Sequence, residues 1–188
     1  MKTKDFVAIA MMAALLAVLG LLPAIPLGFI PVPIVLQNLG VMLAGVLLGG
    51  KRGSLALLLF LVIGLVLPFF SGMNTTLKVM VGPTAGYIWA WIFVPPLMSW
   101  GLSALKTRKF LPVFFIIWLS GVLFVDLSGG LYLSLYSGIP LKTALISSNL
   151  VFIPGDSLKA LLTTAVALRL DRANLFKPFL GNFNRFKD

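Results

Sequence analysis

The sequence predicts an all-α integral membrane protein, a bundle of six transmembrane helices. Three observations predict it. Of 188 residues, 60% are hydrophobic and only 11% charged, with a mean hydropathy of +1.07, whereas roughly a quarter of a soluble domain is charged. Apolar runs of about the 20 residues that a bilayer crossing needs are spread along nearly the whole chain. The basic residues stand at the ends of those runs rather than along one polar face. The length allows one domain over residues 1–188, with no soluble second domain.

The six expected spans are 6–22, 34–50, 54–70, 81–104, 110–128 and 146–170. The first follows the basic start "MKTKD", a pattern shared with secretory signals. Cleavage there would leave five spans and spoil the alternation of charge, so it is read as a span. The second and third are nearly fused. Between them "GGKRGS", residues 49–54, places glycines and two cations where a single long helix would otherwise run. The fourth opens on "VGPTAGYIWAW", small and flexible before its aromatics, and the sixth contains Asp156 and Lys159.

Short cytoplasmic loops carry the excess of Lys and Arg. With the N-terminus inside, twelve of the fifteen cations fall on that side: Lys2, Lys4, Lys51, Arg52, Lys106, Arg108, Lys109, Arg169, Arg172, Lys177, Arg185 and Lys187. Lys78 and Lys142 fall outside, and Lys159 within a span. Both termini are therefore expected in the cytoplasm, in a multi-pass protein of the cell membrane. The net charge of +10 is membrane topology and not a nucleic-acid footprint, which would need a basic face with stacking aromatics. The outer segments 22–33, 69–80 and 128–150 are longer and richer in Pro, Gly and hydroxyl groups than the inner links. They are expected to be outer loops, and the asymmetry points to recognition at the outer face.

All five acidic residues are Asp, and the chain has no Glu, His or Cys. Imidazole and thiolate metal ligands, disulfides, Cys nucleophiles and Ser-His pairs are thereby excluded, so neither catalysis, metal nor cofactor is expected. "GVLLGGKR", residues 45–52, imitates a phosphate loop but has Arg52 where Ser or Thr would hold magnesium. It is read as the inner turn between spans two and three.

An ionisable residue inside a span costs roughly 2.5–3.5 kcal/mol on insertion scales, so Asp156 and Lys159 need a reason. Three residues apart, they share one helix face. Pro154 and Gly155 predict that the last helix is broken or starts late, with Asp156 or Ser157 as its cap. On that reading the pair is structural, Lys159 reaching the interface or its neighbour. The other reading is a ligand site at a broken helix. In "VPIVLQNLG", residues 32–40, Gln37 and Asn38 are candidates for binding or for helix contacts. Asp126, near the outer end of the fifth span, is expected to cap it or bond to a loop, or else to serve an ion-coupled carrier together with Asp156.

"VPIVLQNLGVMLAGVLLGGKRG" (32–53), "GPTAGY" (82–87) and "FIPGDSLKALL" (152–162), in that order with six spans, resemble the BioY family. These are the biotin-binding substrate-capture (S) components of energy-coupling-factor vitamin transporters. The resemblance implies tight capture of biotin from outside, in a ligand pocket covered by the longer extracellular loops, and association with a transmembrane coupling protein and two cytoplasmic ATPases that supply the energy. It also implies a coupling surface on the first helix, where "AIAMMAALLA" supplies Ala10 with Ala14 and Ala13 with Ala17, small residues spaced for close helix approach. Ordinary packing in the bundle is the alternative.

For such a ligand, Asp156 is the acceptor of a ureido N–H, while Lys159 serves either the ureido oxygen or the carboxylate. Gln37, Asn74 and Tyr87 are the further hydrogen-bonding candidates, and Phe29, Trp89 and Tyr132 the candidate aromatic walls. A different vitamin, and a stand-alone ion-coupled carrier, are the competing functions.

Overall fold

The computed structural model describes residues 2–29 and 31–172. Lys177, Arg185 and Lys187, part of the charge asymmetry, lie outside the described residues. The described residues form these helices: α1 (Thr3–Leu21), α2 (Gln37–Ile63), α3 (Thr76–Val81), α4 (Ala85–Ala104), α5 (Phe110–Trp118), a π turn (Leu119–Leu123), α6 (Phe124–Ser137) and α7 (Leu141–Arg172). Among the described residues, four helical runs are long and apolar enough to cross a membrane: Thr3–Leu21, Gln37–Ile63, Phe110–Ser137 and Leu141–Leu170.

The glycine-basic break lies inside α2. Gly49 has φ 73° and ψ −175°, a region essentially confined to glycine. A Cβ on Gly53 would stand 2.9 Å from the Ala44 carbonyl oxygen, although nine residues of unbroken helix rise about 14 Å. The helix therefore folds back on itself. Its two limbs correspond to the expected second and third spans. At the turn, Arg52 forms an ion pair of 3.3 Å with Asp5 of α1, and the Asp5 carboxylate also accepts the Lys2 backbone N–H at 2.9 Å. The start of α1 and the turn of α2 thus share one end of the bundle.

α4 packs along both α2 and α6, α1 packs on α2, and α6 on α7. Leu16, Met42, Leu57, Phe60, Val94, Met98, Ile117 and Leu133 form the fully buried centre. Pro95 and Pro96 lie inside α4. A proline has no N–H for the carbonyl four residues back, and Ser54 of α2 supplies the donor that Ile92 would otherwise lack, Oγ to oxygen 2.8 Å. Large side chains such as Phe6, Met11, Val18, Phe93, Trp100 and Leu158 are exposed around the outside. Such a surface suits lipid and not water.

Two expectations are corrected. The last helix is neither broken nor late: α7 runs unbroken through Pro154. Pro154 is exposed on the outer side of the helix, and the helix continues past the one hydrogen bond that it removes. Asp156 is consequently mid-helix and caps nothing. Segment 128–150 is not a long loop either; α6 and α7 extend through it, leaving only Gly138, Ile139 and Pro140 between them. Its hydroxyls bond to helical carbonyls instead of making turns, Ser147 to Thr143 and Ser148 to Ala144, both at 2.8 Å.

Candidate ligand-binding site

A cavity of about 420 Å³ lies at the end of the bundle opposite the α2 turn. Segment 31–35, the start of α2, segment 70–84, α4, α6 and α7 all contribute to its walls. Its volume falls within the roughly 300–1,000 Å³ of small-molecule sites. Val32, Phe70, Ile88, Trp91, Val125 and Phe152 give it apolar walls, with the Tyr87 and Phe152 rings edge-to-face at 5.6 Å.

The polar centre is built from four elements. Lys159 donates to the Asp156 carboxylate at 2.5 Å and to the Val35 carbonyl oxygen at 2.7 Å. Asn38 donates from its amide to the other Asp156 oxygen at 2.6 Å and to the Gly121 carbonyl oxygen at 3.1 Å. Gly121 sits in the π turn, whose i→i+5 pattern departs from the regular helical ladder and recurs at functional sites. A Cβ there would meet the Met42 side chain at 2.6 Å, so only glycine lets α2 approach the turn this closely. Trp118, just before the turn, donates to Ser157 at 2.8 Å and fixes the same stretch of α7.

Asp156 and Lys159 are 6% and 7% exposed, and their charges cancel. Two of the three Lys159 donors are used, and the carboxylate retains free lone pairs. One donor and one acceptor therefore remain side by side facing the cavity. An amide or urea edge has the matching arrangement.

The five candidate ligand residues are brought together: Asp156, Lys159, Tyr87, Gln37 and Asn74 all line the cavity. Gln37 is fully buried, with a long 3.4 Å bond from Nε2 to the Leu16 carbonyl oxygen. Asn74 stands on a tight turn bridged to Phe70, its amide donating to the Ser71 carbonyl oxygen at 2.7 Å. The expected aromatic walls are different. Phe29, Trp89 and Tyr132 are absent from the lining; Phe29 and Trp89 are exposed, and Tyr132 stacks on Tyr136 at the rim. Helical spacing explains Trp89: Tyr87 and Trp91, four apart, share the inward face of α4, and residue 89 faces away.

Asn38 and Asp126 carry more of the site than their sequence positions suggested. Asn38 is buried and clamps the acid. Asp126 is neither a cap nor a loop partner, because its helix continues to Ser137; it is 1% exposed and lines the cavity. Among the described residues no cluster of three His, Cys, Asp or Glu side chains exists to hold a metal ion. On α1, Ala10 and Ala14 lie on the exposed face, whereas Ala13 is buried and Ala17 packs against the core.

Helices of bilayer length around a cavity with apolar walls and a few fixed polar groups define a membrane protein that binds a small molecule within its bundle. The chain belongs to the BioY family, whose model matches residues 1–175. It is 46% identical over 182 residues to the biotin transporter BioY of Lactococcus lactis subsp. cremoris (strain MG1363), covering 95% of this chain and 96% of that one. It is 40% identical over 183 residues to the biotin transporter BioY of Rhizobium etli, covering 92% and 94%. Its fold matches the crystal structure of the S-component for biotin from an ECF-type ABC transporter, with a TM-score of 0.89 and 44% identity over 96% of this chain and 99% of the other.

Proposed function

We propose that this chain captures biotin from the outer side of the cell membrane, as the substrate-binding subunit of an ATP-driven transporter of the energy-coupling-factor type. One observation carries the reading: a buried, internally clamped Asp156–Lys159 pair presents an acceptor beside a donor to a cavity of ligand size. That edge fits the ureido ring, with Asp156 accepting an N–H and Lys159 donating to the oxygen. The thioether ring and the acyl chain fit the apolar walls. Gln37, Asn74 and Tyr87 supply further polar contacts. The relatives described as biotin transporters support the same ligand.

Counting the two limbs of α2 separately, and α4 as a span of its own, gives six crossings over a single domain, residues 1–188. The cations near the start of α1 and the α2 turn then put that end, and both termini, in the cytoplasm. Segments 31–35 and 70–84 roof the cavity outside. The chain supplies binding, and a transmembrane coupling protein with two ATPases supplies the work. The exposed Ala10–Ala14 ridge of α1 is the surface offered to the coupling protein. Neither metal nor cofactor takes part.

Equilibrium titration of the purified chain with biotin, thiamine, riboflavin and folate tests the ligand. Tight, selective binding of biotin is expected; equal or stronger binding of another vitamin would overturn the assignment. Proton-driven uptake by the chain in liposomes lacking ATPases would favour a stand-alone carrier.

A further inference from the structure

Asp126 has a role that neither the fold nor the polar centre explains. It is 1% exposed and lines the cavity, yet its Oδ2 has no hydrogen-bond partner, and it forms no ion pair among the described residues. The buried cation nearest in function, Lys159, is already committed to Asp156 and to the Val35 carbonyl oxygen. The other cation on the lining, Lys78, is exposed. A buried carboxyl group without a partner is costly, and native interiors leave few polar groups unmatched without a reason.

Packing aims this side chain inward. A Cβ on Gly129, three residues beyond Asp126, would run into the Tyr87 ring, so α6 lies against the inward face of α4. On that face, Trp91 also lines the cavity and leaves its indole N–H without an acceptor. Tyr87, on the same face, likewise leaves its hydroxyl without a partner, so three unmatched polar groups, the Asp126 carboxyl, the Trp91 N–H and the Tyr87 O–H, stand on the cavity wall formed by α4 and α6. None belongs to the Asn38–Asp156–Lys159 network.

We propose that Asp126 is a second ligand-reading carboxylate, accepting an N–H of the bound molecule that Asp156 does not engage. The proposal rests on the biotin reading above. A cyclic urea presents N–H, C=O and N–H in sequence, and the site then answers with an acceptor on α6, a donor at Lys159 and an acceptor at Asp156. Such complementarity selects strongly, because a ligand missing one N–H leaves a buried carboxylate unpaired. Asp126 is thus a specificity residue for ureas over lactams and carbamates.

The test uses the full purified chain, as wild type and as Asp126→Leu and Asp126→Asn. Each is titrated with biotin and with the two cyclic carbamate analogues in which one or the other ureido N–H is replaced by oxygen. Asp126→Leu should weaken biotin about tenfold or more, and Asp126→Asn, which keeps a neutral acceptor, by less. The wild type should discriminate against the carbamate lacking the N–H read by Asp126, and Asp126→Leu should lose that discrimination while still rejecting the other analogue. Biotin affinity within twofold of wild type in folded Asp126→Leu, or equal losses for all three ligands, would overturn the proposal. If Asp126→Leu does not fold, Asp126→Ala, which also removes the acceptor, replaces it in the same comparison. Failure of the wild type to bind biotin would instead remove the ligand assignment itself.

Discussion

Asp156 and Lys159 stand three residues apart on one face of α7, with the ammonium 2.5 Å from the carboxylate. The pair is held from both sides, because Asn38 grips the acid and the Val35 carbonyl oxygen grips the base. Removing one member of a buried pair costs about 3–5 kcal/mol, while replacing both can be nearly neutral. That asymmetry separates support of the fold from recognition of the ligand. Asp156→Asn and Lys159→Ala should each weaken biotin binding more than tenfold while folded protein is retained. The double variant Asp156→Asn/Lys159→Met should melt higher than Lys159→Ala without regaining affinity. Thermal unfolding in detergent and calorimetric titration check both; recovered binding in the double variant would assign the pair to structure only.

Asn38 links the π turn to the acid through one amide nitrogen. Asn38→Leu leaves the Asp156 oxygen short of a donor and should lower affinity about tenfold or more, on the scale of about 1.5–3 kcal/mol for a hydrogen bond to a charged group. Gly121→Val should act through sterics, since its Cβ would meet Met42 at 2.6 Å. It should lower stability by about 1–3 kcal/mol and affinity with it. Unfolding midpoints and biotin affinity, measured on the same preparations, distinguish the two causes.

The helical class and the α2 break were legible in the sequence because each rests on a strong local signal: hydropathy over whole runs, and a glycine-basic cluster that only a turn accommodates. The pairing of Asp156 with Lys159 was legible as well, since a three-residue spacing fixes a shared face. The course of α7 was not. Pro154 reads locally as a breaker, and only its exposed position shows why the helix passes through it. Asp126 was misread for a related reason: the hydroxyl-rich 128–150 stretch imitates a loop until its side chains are seen bonding back to the helix. Trp89 and Trp91 differ by two positions in sequence, and the inward one could be chosen only once α6 was in place.

The two small-residue pairs on α1 should behave differently. Ala14 is exposed and Ala13 is 4% exposed within the core. Ala14→Trp should leave biotin affinity unchanged and abolish uptake when the chain is assembled with its coupling protein and ATPases. Ala13→Trp should instead overpack the bundle, costing about 1–3 kcal/mol or more, and lower the yield of folded protein. Binding assays on the isolated chain, paired with uptake into proteoliposomes, read the contrast. Full uptake by Ala14→Trp would move the coupling surface elsewhere.

Ser54 should matter to stability and not to the ligand. It completes the carbonyl that Pro96 leaves open, far along the bundle from Asp156. Ser54→Ala should cost about 1–2 kcal/mol with biotin affinity within twofold of wild type. A thermal midpoint unchanged by the substitution would mean that the Ile92 carbonyl oxygen finds another donor.

Lys78 carries the last prediction, because the charges around the cavity are unevenly laid out. Asp156 and Lys159 cancel, Asp126 adds a carboxyl, and the remaining cation on the lining is Lys78, exposed on α3. A ligand with one anionic end is therefore repelled from the buried acids and drawn toward α3, which leaves Lys159 to the ureido oxygen. Exposure moderates the attraction, since a solvated ion pair contributes only about 0–1 kcal/mol. Lys78→Gln should accordingly weaken biotin about two- to fivefold and leave biotin methyl ester, which has no charge, unaffected. The difference between the two ligands should shrink as salt is raised from 50 to 500 mM, because screening acts on the exposed charge and spares the buried pair. Equal effects on acid and ester would place the carboxylate elsewhere and return Lys159 as its partner.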